Sequence, residues 1–244
     1  MRSFPRISAL VLIGATVGAC SGQTGSSLVS DPLEPLNREI HAFNKGVDTV
    51  LLRPGGVTYD AVTPLLVKHL VRNAVSHASL PGVFVNHLLQ GRGDDAATTL
   101  GRFAVNTLVG AGGVLDPATE FELPLVDTDF GLTLATWGVD EGPYVELPLL
   151  GPSTLRDAVA VPVDMALTPT TYAPTESAIT IVSTTGTLLD LVDSRNRATA
   201  TVDELLYNSE DSYISLRTAY IQNRRRQVAG GDTATDDLPD LFGE

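Results

Sequence analysis

Along most of this chain the apolar residues return every third or fourth position, and no long stretch alternates apolar with polar. That spacing fits the 3.6-residue turn of a helix rather than the two-residue repeat of a strand, so it commits the chain to a mainly α fold. Leu36, Ile40, Phe43, Val47, Val50 and Leu51 describe an amphipathic helix that should end before Arg53-Pro54-Gly55-Gly56. Val62, Leu65, Leu66, Leu70 and Val71 mark a second. Pro81 is placed to start a third, running through Val83, Phe84, Leu88 and Leu89 to a stop at Gly91. Asp94 begins a fourth that carries Leu100, Phe103, Ala104, Leu108 and Val109 and breaks at Gly110-Ala111-Gly112-Gly113.

Phe121 to Gly151 is dense in Pro and Gly, an irregular segment with one short helical piece from Asp129 to Trp137. Further helices are expected from Ser153 to Ala166, kinked or broken at Pro162, and from Glu176 to Val192. Ala198 to Gln227 reads as one long helical stripe through Val202, Leu205, Leu206, Tyr213, Leu216 and Tyr220. Its basic end, Arg224-Arg225-Arg226, suits the negative pole of a helix. No internal repeat is visible.

The ends of the chain carry a different signal. Arg2 and Arg6, the apolar run Ile7 to Val17, and the small residues Gly18 and Ala19 make residues 1–19 a cleaved export leader, too short to span a bilayer. Cys20, the only cysteine, follows directly and resembles the acylated first residue of a bacterial lipoprotein. Residues 20–30 are rich in Gly and Ser and read as a flexible tether. One helical domain is expected over 31–229, followed by an acidic, disordered tail over 230–244. With no second cysteine an exported chain gains no internal disulfide, so its stability must come from packing.

The formal charge is −13, and removal of Arg2 and Arg6 with the leader makes it two units more negative. Such a chain is a poor partner for nucleic acid, and anionic headgroups repel it. Membrane attachment therefore has to come from acyl chains and apolar contact. His41, His69, His77 and His87 fall in no metal-ligand spacing, so no metal or other cofactor is expected. There is no G-x-S-x-G elbow, although spacing alone does not decide on a Ser-His-Asp arrangement, and a lipid hydrolase stays open as the alternative reading. The Gly110 to Gly113 run lacks a full phosphate-loop pattern and reads as a helix-breaking turn, as Arg92-Gly93-Asp94 reads as a turn and cap.

Three ordered blocks resemble the MlaA/VacJ family of outer-membrane lipoproteins. The first is Asp31-Pro32-Leu33-Glu34-Pro35-Leu36-Asn37-Arg38 with Phe43-Asn44 and Asp48. The second is Arg102-Phe103-Ala104-Val105-Asn106-Thr107, leading to Gly110-Ala111-Gly112-Gly113-Val114-Leu115-Asp116-Pro117-Ala118. The third joins Asp129-Phe130-Gly131-Leu132-Thr133-Leu134, Trp137-Gly138, Gly142-Pro143-Tyr144, Leu147 to Ser153 and Arg156-Asp157. The match covers Asp31 to Tyr172 and is looser beyond, resuming around Asp211-Ser212-Tyr213 and Tyr220.

The resemblance implies a single ring-like helical domain, with no catalytic residues, lying at the periplasmic face of the outer membrane. It implies a passage through which phospholipid misplaced in the outer leaflet moves toward a periplasmic lipid carrier, and association with trimeric porins. Asn37, Arg38, Phe43, Asn44, Asp48, Asn106, Gly110, Gly112, Gly113, Asp116, Phe130, Gly131, Trp137, Gly138 and Tyr144 are the family-motif or channel residues so implied. A polar-lined path makes physical sense: a charged headgroup does not cross hydrocarbon cheaply, whereas tails rest comfortably on apolar surface.

Overall fold

The computed structural model describes residues 30–172 and 178–230. The expected leader, Cys20 with its tether up to residue 29, and the tail from residue 231 lie outside these described residues.

The chain is mainly helical, as its periodicity requires. Helix α1 (Glu34–Val47) passes through a widened, π-helical turn at Asp48–Leu52 into α2 (Arg53–Val62), and α3 (Leu65–Leu89) and α4 (Gly93–Leu108) follow. After the short α5 (Pro117–Glu120) and α6 (Phe130–Thr136) comes a hairpin of β1 (Tyr144–Leu147) and β2 (Gly151–Thr154). The chain continues with α7 (Leu155–Leu167), α8 (Ala178–Arg197), α9 (Thr199–Asp203), a second π-helical turn at Glu204–Asn208, and α10 (Ser212–Val228). Packing closes a circuit: α1 on β1, β1 and β2 on α7, α7 on α3, α3 on α8, and α8 on α2, which leads back to α1.

Several expected boundaries move. The first helix does not end before Arg53-Pro54-Gly55-Gly56: the widened turn just ahead accommodates a proline that has no N–H to give, and α2 continues. Gly56 is needed there because a Cβ would stand 2.7 Å from the Val192 carbonyl oxygen of α8. Pro81 does not start a helix but lies inside α3, where Leu80, Gly82 and Val83 are buried around it and Gly82 faces Leu167 of α7. That packing outweighs the hydrogen bond proline removes. Helix α7 likewise runs through Pro162 without ending.

The long stripe expected over Ala198 to Gln227 is broken at Ser209, whose extended backbone hands the chain to Asp211. The Asp211 carboxylate accepts from the N–H groups of Tyr213 and Ile214 and so starts a new helix. The hairpin lies inside the segment expected to be irregular and pairs Tyr144 with Thr154 through Leu147 with Gly151. Its turn places Leu149 and Gly151 at positive φ, and Pro152 is tolerated because each strand of a two-stranded sheet has an open edge.

Candidate functional site

The described residues bury nineteen polar or charged side chains but only ten apolar ones, which inverts the usual core. The apolar cluster at the centre is Tyr144, Tyr213 and Ile221, with Tyr220 against it. What holds the helices together must therefore be read from the polar groups.

One set gathers where α1, the hairpin and α10 meet. Asn37 donates to Asp31 Oδ1 at 2.9 Å and to the Tyr144 carbonyl at 3.1 Å, and accepts from the Glu146 N–H at 2.9 Å. Asn44 repeats the device two turns on, donating to the Leu147 carbonyl at 3.0 Å and accepting from the Leu149 N–H at 2.8 Å. Two asparagine amides thus complete hairpin backbone groups from a neighbouring helix. Arg38 grips Asp211 through two nitrogens, at 3.2 and 2.9 Å, with its guanidinium over the Tyr213 ring. That pairing holds the Asp211 carboxyl below the usual carboxylate range. Tyr144 donates to Glu146 from full burial, and desolvation first, then that bond, pushes its phenol far up.

In the same set His41 Nε2 lies 3.0 Å from Ser212 Oγ while its Nδ1 lies 3.5 Å from Glu146 Oε1. Lys45 also donates to Ser212 Oγ, at 3.2 Å.

A second set joins α6, α7 and α10. Arg224 donates to Asp129 at 2.7 Å from each terminal nitrogen and to Asp157 at 2.9 and 3.1 Å. Asp157 also accepts from Arg156 Nε at 3.0 Å and Tyr220 at 2.9 Å. Burial alone would raise the Asp157 carboxyl, but the bonds and charge of Arg224, then Arg156, outweigh it and the net shift is downward. Gly131 is fixed by this contact: a Cβ there would stand 2.5 Å from both Arg224 Nη2 and Asp157 Oδ1.

A third set shapes the glycine loop after α4. Asp116 accepts two bonds of 2.8 Å from Arg102 and one of 2.8 Å from Asn106, whose oxygen takes the Ala118 N–H at 3.0 Å. The loop folds back on α3, where the His77 ring stacks on Phe103 at 4.9 Å and lies against Gly113. A Cβ on Gly113, whose φ is +90°, would enter that ring, whereas one on Gly112 would meet nothing. Burial pushes the His77 imidazole below its usual value.

A fourth set faces the two widened turns toward each other. Arg195 donates to Asp48 at 2.6 and 2.9 Å and to Asp203 at 2.6 Å, and Tyr207 donates to Asp48 at 2.8 Å.

The structure therefore brings Asn37, Arg38, Asn44, Asp48, Asn106, Asp116, Gly131 and Tyr144 into clasps between elements. Gly110 lies in the loop the third clasp shapes, and Gly138 ends α6 at positive φ. Phe130 meets Trp137 edge-on at 5.8 Å, and Phe43 is half exposed. Arg195, Arg224, Asp157 and Asp211 were not singled out as site residues. Asp157 and Asp211 stood inside the family-like segments, but Arg195 and Arg224 find their main partners far away in sequence, where no local pattern points to them.

Outward, the pattern reverses. Leu108 is 83% exposed, and Val50, Leu51, Val62, Leu65 and Leu66 stand mostly free on α3 and on the stretch from α1 to α2. No helix among the described residues is long and apolar enough to cross a membrane. Such an outside, around an inside clasped by ion pairs, is the plan of a protein that presents apolar surface to its surroundings.

The MlaA lipoprotein family model matches residues 29–227, and the chain belongs to that family. It is 35% identical over 241 residues to the intermembrane phospholipid transport system lipoprotein MlaA of Escherichia coli, covering 96% of this chain and 93% of that one. The Haemophilus influenzae protein of the same name is 29% identical over 242 residues, covering 96% and 93%. A solved chain, described under the structural basis for maintenance of bacterial outer membrane lipid asymmetry, superposes with a TM-score of 0.68 at 34% identity. It covers 82% of this chain and 99% of its own length.

Proposed function

We propose that this chain is a lipid-anchored transport protein at the periplasmic face of the outer membrane. It takes phospholipid from the outer leaflet and passes it to a periplasmic carrier, keeping the two leaflets different in composition. Acylated Cys20 is its anchor and the segment after it a tether. The helical domain does the work beside a trimeric porin. The observation that carries this reading is the inversion of polarity: large apolar side chains outside, clasped polar groups inside, and no spanning helix among the described residues. The names of the relatives support it. Moving a lipid makes and breaks no bond, so the reading needs no catalytic group.

A deletion strain tests it: phospholipid reachable by a membrane-impermeant amine reagent should rise on the cell surface and fall again when the gene is restored. No rise would count decisively against transport.

A second reading, a lipid hydrolase, has one observation in its favour, the line Ser212, His41, Glu146. Its surroundings oppose it. Lys45 donates into the serine oxygen, and Asp211 already takes the Tyr213 and Ile214 N–H groups that would have to hold an oxyanion. Purified protein should release no fatty acid from phospholipid vesicles; release abolished by Ser212→Ala would revive this reading.

A further inference from the structure

One buried cation is short of partners. The Arg156 side chain is 5% exposed and its guanidinium carries five N–H donors. Nε donates to Asp157, but Nη1 and Nη2 donate to no acceptor among the described residues and are not sealed from solvent. The other buried guanidinia differ: Arg102 donates to Asp116, Thr119 and the Leu123 carbonyl, Arg195 to Asp48 and Asp203, and Arg224 to Asp129, Asp157 and Gln227. A guanidinium so far withdrawn from bulk water, with four donors aimed at no protein acceptor, leaves them for whatever occupies the cavity.

It faces an open cavity of about 490 Å³ between the exit of α6 and the end of α10. Ala135, Val139 and Val228 form an apolar wall. On the polar wall Glu141 is clasped by Arg225 at 3.1 and 2.5 Å, while the exposed Asp140 makes no ion pair among the described residues. The first amides of α7 are already used, Leu155 on the Pro143 carbonyl, Arg156 on the Glu141 carbonyl and Asp157 on Thr154 Oγ1. The cavity therefore offers one cationic fork, one carboxylate and an apolar side. A guanidinium fork fits two phosphate oxygens, but a plain anion would also meet Asp140. A molecule bearing both charges satisfies both walls.

We propose that this cavity binds a zwitterionic phospholipid headgroup, its phosphodiester on Arg156 and its ammonium at Asp140, with the start of the acyl chains along Val139 and Val228. The proposal rests on the transport reading and adds the headgroup class and the residues that select it.

Trp137, the only tryptophan, adjoins the Gly138 wall and reports occupancy. The full chain in nonionic micelles would be titrated with dihexanoyl-phosphatidylethanolamine, dihexanoyl-phosphatidylglycerol and inorganic phosphate while Trp137 emission is followed. The ethanolamine lipid should bind at least tenfold more tightly than the glycerol lipid, and phosphate should leave the emission unchanged. Arg156→Gln should weaken the ethanolamine lipid about tenfold or more, and Asp140→Asn should erase the preference between the two lipids. Equal binding of both lipids by the unaltered chain, or phosphate binding as tightly as lipid, overturns the proposal. So does undiminished binding in a folded Arg156→Gln; if circular dichroism shows that variant unfolded, the exposed Asp140→Asn decides alone. Should the site fail while the unaltered chain still clears surface phospholipid in the deletion strain, transport stands without it; should the unaltered chain fail in that strain, the transport reading falls instead.

Discussion

Around Asp157 three side chains and a close-packed glycine share one buried carboxylate, whereas at the end of α4 Leu108 projects 83% exposed with Val109 beside it at 65%. In an ordinary water-soluble domain the leucine would be inside and most of the ion pairs outside. Cohesion and environment are thus separated in this chain. Directional bonds between distant helices hold the shape, which leaves the apolar side chains available to face hydrocarbon. A buried ion pair is seldom better than a well-packed apolar one, but it fails badly when half of it is removed. This fold should therefore be brittle at its clasps and forgiving on its apolar outside.

The largest effect should come from cutting a buried clasp. Asp157→Ala leaves Arg224 and Arg156 without a shared anion and should cost about 3–5 kcal/mol, read by denaturant unfolding in micelles; a loss near zero would mean the clasps are ornamental. Gly113→Ala combines positive φ with the His77 ring and should cost about 1–3 kcal/mol, while Gly112→Ala should cost less. Adding His77→Ala should recover part of the Gly113→Ala loss, and a fully additive double variant would deny the contact. Leu108→Ser should change unfolding by less than about 0.5 kcal/mol yet weaken partition into lipid vesicles, the opposite balance to Asp157→Ala. Arg38→Lys, at a clasp more than a third exposed, should be the mildest, within about 1 kcal/mol.

Acid sharpens the same contrast. The carboxyls of Asp157, Asp116 and Asp193 are held low, burial raising each and the bonds that outweigh it coming from Arg224 and Arg156, from Thr119, Asn106 and Arg102, and from Arg72 and Arg197. Their stabilisation is complete above the ordinary carboxylate value of about 4 and is lost as pH falls through their lower folded values. Asp164 runs the other way: burial raises its carboxyl, so protonation favours the fold and its contribution fades as pH rises. Thermal unfolding followed downward from about pH 5 should show a falling midpoint, and Asp157→Asn should flatten that fall.

The helical class, the glycine break after α4, the short helical piece opening at Asp129 and the end at Gly91 were all legible, because each depends on residues within one or two turns. The run through Arg53-Pro54-Gly55-Gly56 was not. Two glycines there read as a stop, and only the approach of Val192 from α8 reveals them as clearance for a neighbouring helix. The hairpin was hidden because Asn37 and Asn44 complete its bonding from over a hundred residues away. The family blocks marked the residues of the clasps without showing what they clasp, since Asp48 meets Arg195 and Arg38 meets Asp211 only after folding.

The most direct test places single spin labels at 66 and 108, and a third at exposed Asp140, in vesicle-bound protein, and compares relaxation by lipid-soluble oxygen with relaxation by a water-soluble nickel chelate. Oxygen should dominate at 66 and 108 and nickel at 140. Nickel dominating at all three positions would show that the exposed leucines face water and would contradict the separation of cohesion from environment.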